Sequence, residues 1–144
     1  MRPKPKPKPK TRPRLILQPS ARRTARHNSL TALKRFFAIA DAWELSPLQQ
    51  CRLLKIPSPM VLERYRLGQG PRLSAQQHER VTLLTSIQAS LGGPAKAERA
   101  WAWVNAPHPD EPFEGDSPLY FMLENGLPAL RAVARLLVRN KRPR

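Results

Sequence analysis

The sequence predicts an all-α protein, and three features of it carry that prediction. Apolar residues recur at three- and four-residue spacing in successive stretches. Serine, often with proline or with glutamine three residues on, stands before several of those stretches. Glycine closes them or proline opens the next. Ahead of this helical body lies a segment of a different kind. The first 30 residues hold ten lysines or arginines and no acid, more than half of the formal net charge of +16. Residues 31–138 hold 12 basic and 10 acidic groups and are close to balance. A cationic arm is therefore joined to an ordinary folded body of about 110 residues, enough for an independent core.

In chain order, residues 1–14, MRPKPKPKPKTRPR, alternate proline with cations. Proline removes amide donors and disfavours helix at the preceding residue, while Lys4, Lys6 and Lys8 repel one another. Residues 1–29 are expected to be a disordered, extended arm, with Arg22, Arg23 and Arg26 continuing it. Such arms bind phosphate backbones by counterion release. A first helix is expected over about 30–43, with Leu30, Leu33, Phe37, Ala40 and the nearby Trp43 on one stripe. Ser46-Pro47-Leu48-Gln49 is a capping box that opens a second helix over about 47–54. Lys55-Ile56-Pro57 makes a tight connection, and Ser58-Pro59 caps and starts a third helix ending near Gly68. Ser74-Ala75-Gln76-Gln77 opens a longer fourth helix through Val81, Leu84, Ile87 and Leu91, stopped by Gly92-Gly93. Two short helices joined by about four residues after a packing helix form a helix-turn-helix pattern.

The C-terminal part is patterned as helix, loop, helix, stop and helix. Ala97, Ala100, Trp101 and Val104 recur at helical spacing. A loop from Asn105 to Gly115 carries three prolines and three carboxylates. Ser117 can cap the next helix, with Pro118 as its first residue. Gly126 ends it and Pro128 opens another, with Leu127, Leu130, Val133 and Leu137 on one face. Trp101 and Trp103 are too close in sequence to share a face, so one belongs to the core and the other to the surface.

These last residues resemble the toxin-binding domain of the Xre/MbcA/ParS antitoxins. Its pattern is A-x-x-W-L, an Asn/Pro element, then F-x-G-x-S-P-L-x-x-M-L and a glycine. Ala100, Trp103-Val104, Phe113, Gly115, Ser117-Pro118-Leu119, Met122-Leu123 and Gly126 match it in order, with Asn105, Pro107 and Pro109 in the intervening neighbourhood. Leu30 to about Leu91 is similar to the Xre-like helix-turn-helix domain that precedes it in that family. The resemblance implies a helix-turn-helix domain over 30–92 and a toxin-binding domain over 93–144. It implies an antitoxin of a bacterial type II toxin–antitoxin system, working in the cytoplasm. Such a protein neutralises a cognate toxin, often of the NAD-consuming RES type, and represses its own operon as a homodimer and in larger complexes with the toxin. Toxin-contacting positions are then Trp103, Asn105, Phe113, Gly115, Ser117 and Pro118, with Arg142 and Arg144 on a terminal peptide able to reach into the toxin. Operator contacts are expected from Ser58, Arg64, Arg66 and Arg72, helped by Lys4, Lys6, Lys8, Arg22 and Arg23 of the arm.

Other chemistries find little support. One cysteine, Cys51, excludes an internal disulfide, suits a reducing compartment and sits where a small apolar residue packs. His27, His78 and His108 are scattered, without a second ligand at metal spacing. Asp110, Glu111, Glu114 and Asp116 share a proline-rich loop without a nucleophile or histidine partner, which suits solvated helix-capping groups. No phosphate-binding glycine loop or nucleophile elbow occurs, so a non-enzyme without cofactor is expected. Leu15-Ile16-Leu17 is far shorter than the ~20 apolar residues of a membrane helix. Two rival readings are a helix-turn-helix regulator without a toxin and a general nucleic-acid-binding protein driven by the arm.

Deleting residues 1–26 removes ten cations. The slope of log affinity for DNA against log salt should become shallower, while discrimination between operator and random DNA changes much less. An unchanged slope would show that these residues do not touch DNA.

Overall fold

The computed structural model describes residues 19–141, with side chains described for 23–140. Every regular element among them is helical: α1 (Pro19–Ala42), α2 (Pro47–Leu54), α3 (Pro59–Arg66), α4 (Ala75–Ser90), α5 (Ala97–Asn105) and α6 (Pro118–Lys141), with a 3-10 turn at Pro94–Lys96 before α5. None of these helices is long and apolar enough to cross a membrane. Lys4, Lys6, Lys8, Arg142 and Arg144 lie outside the described residues.

The local signals act where the sequence puts them. Ser46 Oγ accepts from Gln49 N at 3.1 Å and Gln49 Oε1 accepts from Ser46 N at 2.9 Å, closing the box that starts α2. Ser74 and Gln77 do the same for α4 at 3.1 and 2.8 Å. Lys55, where a tight turn favours glycine, takes the left-handed conformation (φ 57°, ψ 48°), and its backbone N–H donates to Cys51 O. Gly126 (φ 69°, ψ −146°) breaks α6 into two segments, and Pro128 begins the second.

The first helix departs from expectation. It begins at Pro19, not near residue 30, so residues 19–29 are helix and not extended arm. Alanine and arginine are good helix formers, and Pro19 is preorganised for a first turn. From residue 23 this stretch is mostly exposed until Ser29, so little apolar burial supports the helix there and its propensity matters more. The buried stripe also differs slightly. Phe36 is fully buried and Phe37 only partly, while Leu30 is 40% exposed.

α4 lies between α1 and α6, its principal packing partners. Its Leu84 and Ile87 are fully buried, as are Phe36 of α1 and Leu130 and Val133 of α6. One hydrophobic cluster runs from Ala32 to Leu137, so the segments 30–92 and 93–144 share a single core. Polar groups caught in it are mostly satisfied. Trp43 Nε1 donates to Gln88 Oε1 at 2.7 Å, and Gln50 Nε2 donates to Leu45 O at 2.9 Å. Cys51 is buried as expected, and burial pushes its thiol pKa up.

Two arginines stitch α2 to its surroundings at helix ends. Buried Arg80 of α4 donates from Nη1 to Leu53 O at 3.0 Å, where the negative end of the α2 dipole favours a cation. Burial lowers its pKa, and neighbouring Glu79 opposes that shift. Arg52 donates from Nη2 to Leu123 O and Glu124 Oε2, both at 3.0 Å, next to the break in α6. Arg131 grips Glu79 through two bonds of 2.8 and 3.1 Å, tying α6 to α4. That hydrogen bond holds the Glu79 carboxyl below its ordinary range. Its small contribution is present at neutral pH and is lost as pH falls through the folded-state value.

A fragment of residues 94–144 should therefore fail to fold alone, because Leu130, Val133 and Leu137 would lose α4. Circular dichroism should show little helix and no cooperative melt for it, against a single transition for residues 19–144. A cooperative melt of the fragment would show that the two segments have separate cores.

Candidate nucleic-acid and partner-binding surfaces

α3 buries Leu62 and Tyr65 and turns Pro59, Met60, Glu63 and Arg64 outward. Met60 is 75% exposed, so the outward side of the first turn offers proline, methionine and an acid. Ser58 is half-buried and spends its hydroxyl as the N-cap, accepting from Val61 N at 3.3 Å. Arg66 is engaged by its own fold. Its guanidinium lies 4.3 Å from the centre of the Phe37 ring, donates to Gln50 Oε1 at 3.0 Å and comes within 3.8 Å of Asp41. Of the α3 residues expected to contact DNA, only Arg64 projects into solvent without an ion pair among the described residues.

The stronger cationic feature lies beside α3. Arg23 and Arg26, three residues apart on the overhang of α1, share one helix face. They line a cleft whose other side is the loop after α3, with Gly68, Gln69, Gly70 and Arg72. Leu30, Leu33 and Tyr65 lie between. Ser29 Oγ, buried in α1, accepts from Leu73 N at 3.0 Å and pins that loop to α1. Gly70 (φ 109°) lets the loop lie against Tyr65, because a Cβ there would come within 2.9 Å of the ring. Arg72 also borders a second cleft with Asn28 and His78. Among the described residues none of these three arginines forms an ion pair. Three guanidiniums without a carboxylate partner around one opening make a site for an anion. Arg22 lies on the same overhang, though its side chain is not among those described.

The second surface is the loop between α5 and α6. Trp103 is half-buried, with its ring 5.1 Å from that of His108 and 5.8 Å from that of buried Phe113. Phe113 also meets His108 and Phe121, each at 5.5 Å. His108 Nε2 donates to Trp103 O at 3.2 Å, and Gly115 N donates to His108 O at 2.7 Å. Gly115 turns the chain with φ 98°. Ser117 Oγ accepts from Tyr120 N at 3.1 Å and caps α6, whose first residue, Pro118, is buried. Asn105 Nδ2 donates to Trp101 O at 2.9 Å, so it serves the end of its own helix. Asp110, Glu111, Glu114 and Asp116 are all exposed.

Trp103, Phe113, Gly115, Ser117 and Pro118 are thus brought together as the frame of one loop, with much of their chemistry spent internally. Trp101, placed on the apolar stripe of α5 by spacing, is instead 42% exposed while Ala100 and Val104 are fully buried. Sequence reasoning missed His108 as part of the aromatic cluster. It also missed Arg26 as a cleft residue, though the spacing of Arg22, Arg23 and Arg26 carries that signal once the segment is helical.

No protein-family model matches the chain, and no curated protein or solved structure matches it significantly.

Phe113→Ala should cost about 3–5 kcal/mol, because the ring is buried among three others. Thermal melting of the variant checks this. A melting temperature equal to that of the parent would mean that the ring does not hold the loop.

Proposed function

We propose that this chain is a DNA-binding antitoxin of the Xre/MbcA/ParS kind. α2 and α3 would be its helix-turn-helix, and the loop between α5 and α6 part of a surface that binds and neutralises a protein toxin. The observation that carries the nucleic-acid half is the cleft of Arg23, Arg26 and Arg72 beside α3, three exposed cations without carboxylate partners among the described residues. The duplex backbone would lie along the α1 overhang and the loop after α3, with the arm adding further phosphate contacts. What supports the toxin half is the ordered resemblance from Ala100 to Gly126, together with a loop held in one shape by its aromatic frame. An NAD-consuming RES toxin is the partner class which that resemblance implies, with Arg142 and Arg144 extending the contact. No reaction is assigned to the chain itself.

One observation favours a second reading, a nucleic-acid-binding protein with little sequence preference. The outward residues Pro59, Met60 and Glu63 offer the base edges few donors, and Arg66 is engaged elsewhere. Binding to the operator and to random DNA separates the two, since a specific reader prefers its site by orders of magnitude.

Arg26→Gln and Arg72→Gln should each weaken DNA binding on all sequences alike and reduce the salt slope by about one. Titrations at several salt concentrations check this. Slopes equal to that of the parent would remove the cleft from the interface. Co-expression with the product of the neighbouring reading frame tests the other half, and failure to form a complex would overturn it.

A further inference from the structure

The cleft between the overhang of α1 and the loop after α3 is larger than a row of backbone phosphates requires. It encloses about 680 Å³, the size of a small-molecule site, and no carboxylate lines it. Arg23 and Arg26 stand on one wall and Arg72 on the other, none of them in an ion pair among the described residues. Its apolar lining includes Pro71 and Leu30, itself 40% exposed. Tyr65 lies between the walls and is only 5% exposed. Its hydroxyl has no hydrogen-bond partner among the described residues, yet solvent reaches it, and the cleft is the opening that Tyr65 lines. Burial pushes the phenol pKa up, so the group stays a donor at neutral pH. We propose that this cleft binds a nucleoside monophosphate, with the phosphate held by the arginines and the Tyr65 hydroxyl and the base against Leu30 and Pro71.

Charge, shape and polarity select that ligand. A phosphate monoester carries nearly two negative charges at neutral pH and three terminal oxygens, which guanidinium forks and a hydroxyl can share. A carboxylate offers one charge and two oxygens and leaves a cation unmatched. A phosphodiester of a duplex also carries one charge, and the sugar on either side of it holds it at the rim, away from a nearly buried hydroxyl. Inorganic phosphate meets the charges but leaves the apolar lining in water and most of the volume unfilled. A nucleobase is flat, covers apolar surface and stacks on a guanidinium plane. Gln69 also lines the cleft, and its side-chain amide, unpaired among the described residues, can meet the edge of a base. The walls are fixed before any ligand arrives, because Ser29 holds Leu73 N and Gly70 lies against the Tyr65 ring. The same arginines carry the proposed contact with nucleic acid, so a bound mononucleotide displaces it. That consequence rests on the nucleic-acid reading, whereas the binding itself does not.

The test is calorimetric titration of the full chain, without DNA, with adenosine monophosphate, adenosine and inorganic phosphate in turn. The nucleotide should bind at least about tenfold more tightly than either of its parts. Tyr65→Phe, which removes only an unpartnered hydroxyl, should weaken nucleotide binding about tenfold and leave the melting temperature unchanged. Arg26→Gln, at an exposed position, should weaken it by at least as much. If Tyr65→Phe melts lower, Arg72→Gln, also exposed, gives the same reading. The proposal is overturned if the nucleotide does not bind, or binds no more tightly than phosphate alone. Equal nucleotide affinity in the parent and all these variants overturns it too, since the net charge of +16 at large would then hold the ligand. Added nucleotide should also release a DNA duplex from the chain. Binding that meets the first criteria without releasing DNA leaves the pocket in place and removes the duplex from the cleft, so the two readings fail separately.

Discussion

The structure depends on α4 being covered from two sides. Leu84 and Ile87 are buried in a helix whose packing partners, α1 and α6, are separated from it in sequence by the α2–α3 pair and by α5. Hydrophobic burial is non-directional, so it accounts for the layer without fixing its register. The buried hydrogen bonds are directional. Trp43 to Gln88 sets the end of α1 against α4, Ser29 to Leu73 sets the loop after α3 on α1, and Arg80 to Leu53 sets α2 on α4. Each leaves an unsatisfied buried polar group if its partners slide, a loss of about 1–3 kcal/mol.

That frame distributes charge and aromatic surface unevenly. Three cations without an ion pair among the described residues line the cleft where the overhang of α1 meets the loop after α3, while the four carboxylates of the α5–α6 loop lie exposed around an aromatic frame. Asp41, Glu44 and Glu98 make a further acidic patch around Trp101. Such segregation confines attraction for anions to part of the surface, whereas a uniform positive field would exert it everywhere. The arginines also divide by role. Arg52, Arg66, Arg80 and Arg131 are engaged in holding helices together, whereas Arg23, Arg26, Arg64 and Arg72 near α3, like Arg35, Arg99, Arg135 and Arg139 elsewhere, form no ion pair among the described residues.

The sequence by itself determined the helices and most of their ends. Ser46, Ser58, Ser74 and Ser117 act on amides three residues away, and Gly126 acts on its own φ, so these signals are complete within a few residues. Only the tertiary structure decided which residues face what. The start of α1 is not legible from spacing, because residues 23–28 are mostly exposed and no apolar period marks them. Phe36 and Phe37 are indistinguishable by spacing, and α4, covered on both sides, decides between them. Arg66 looks like a free cation until Phe37, Gln50 and Asp41 close around it. Arg72 lies almost fifty residues from Arg23 and Arg26, and the three line one cleft because Ser29 and Gly70 bring a loop against a helix. Caps and breaks are set by backbone groups near in sequence, whereas burial and sites depend on contacts across the chain, which spacing does not encode.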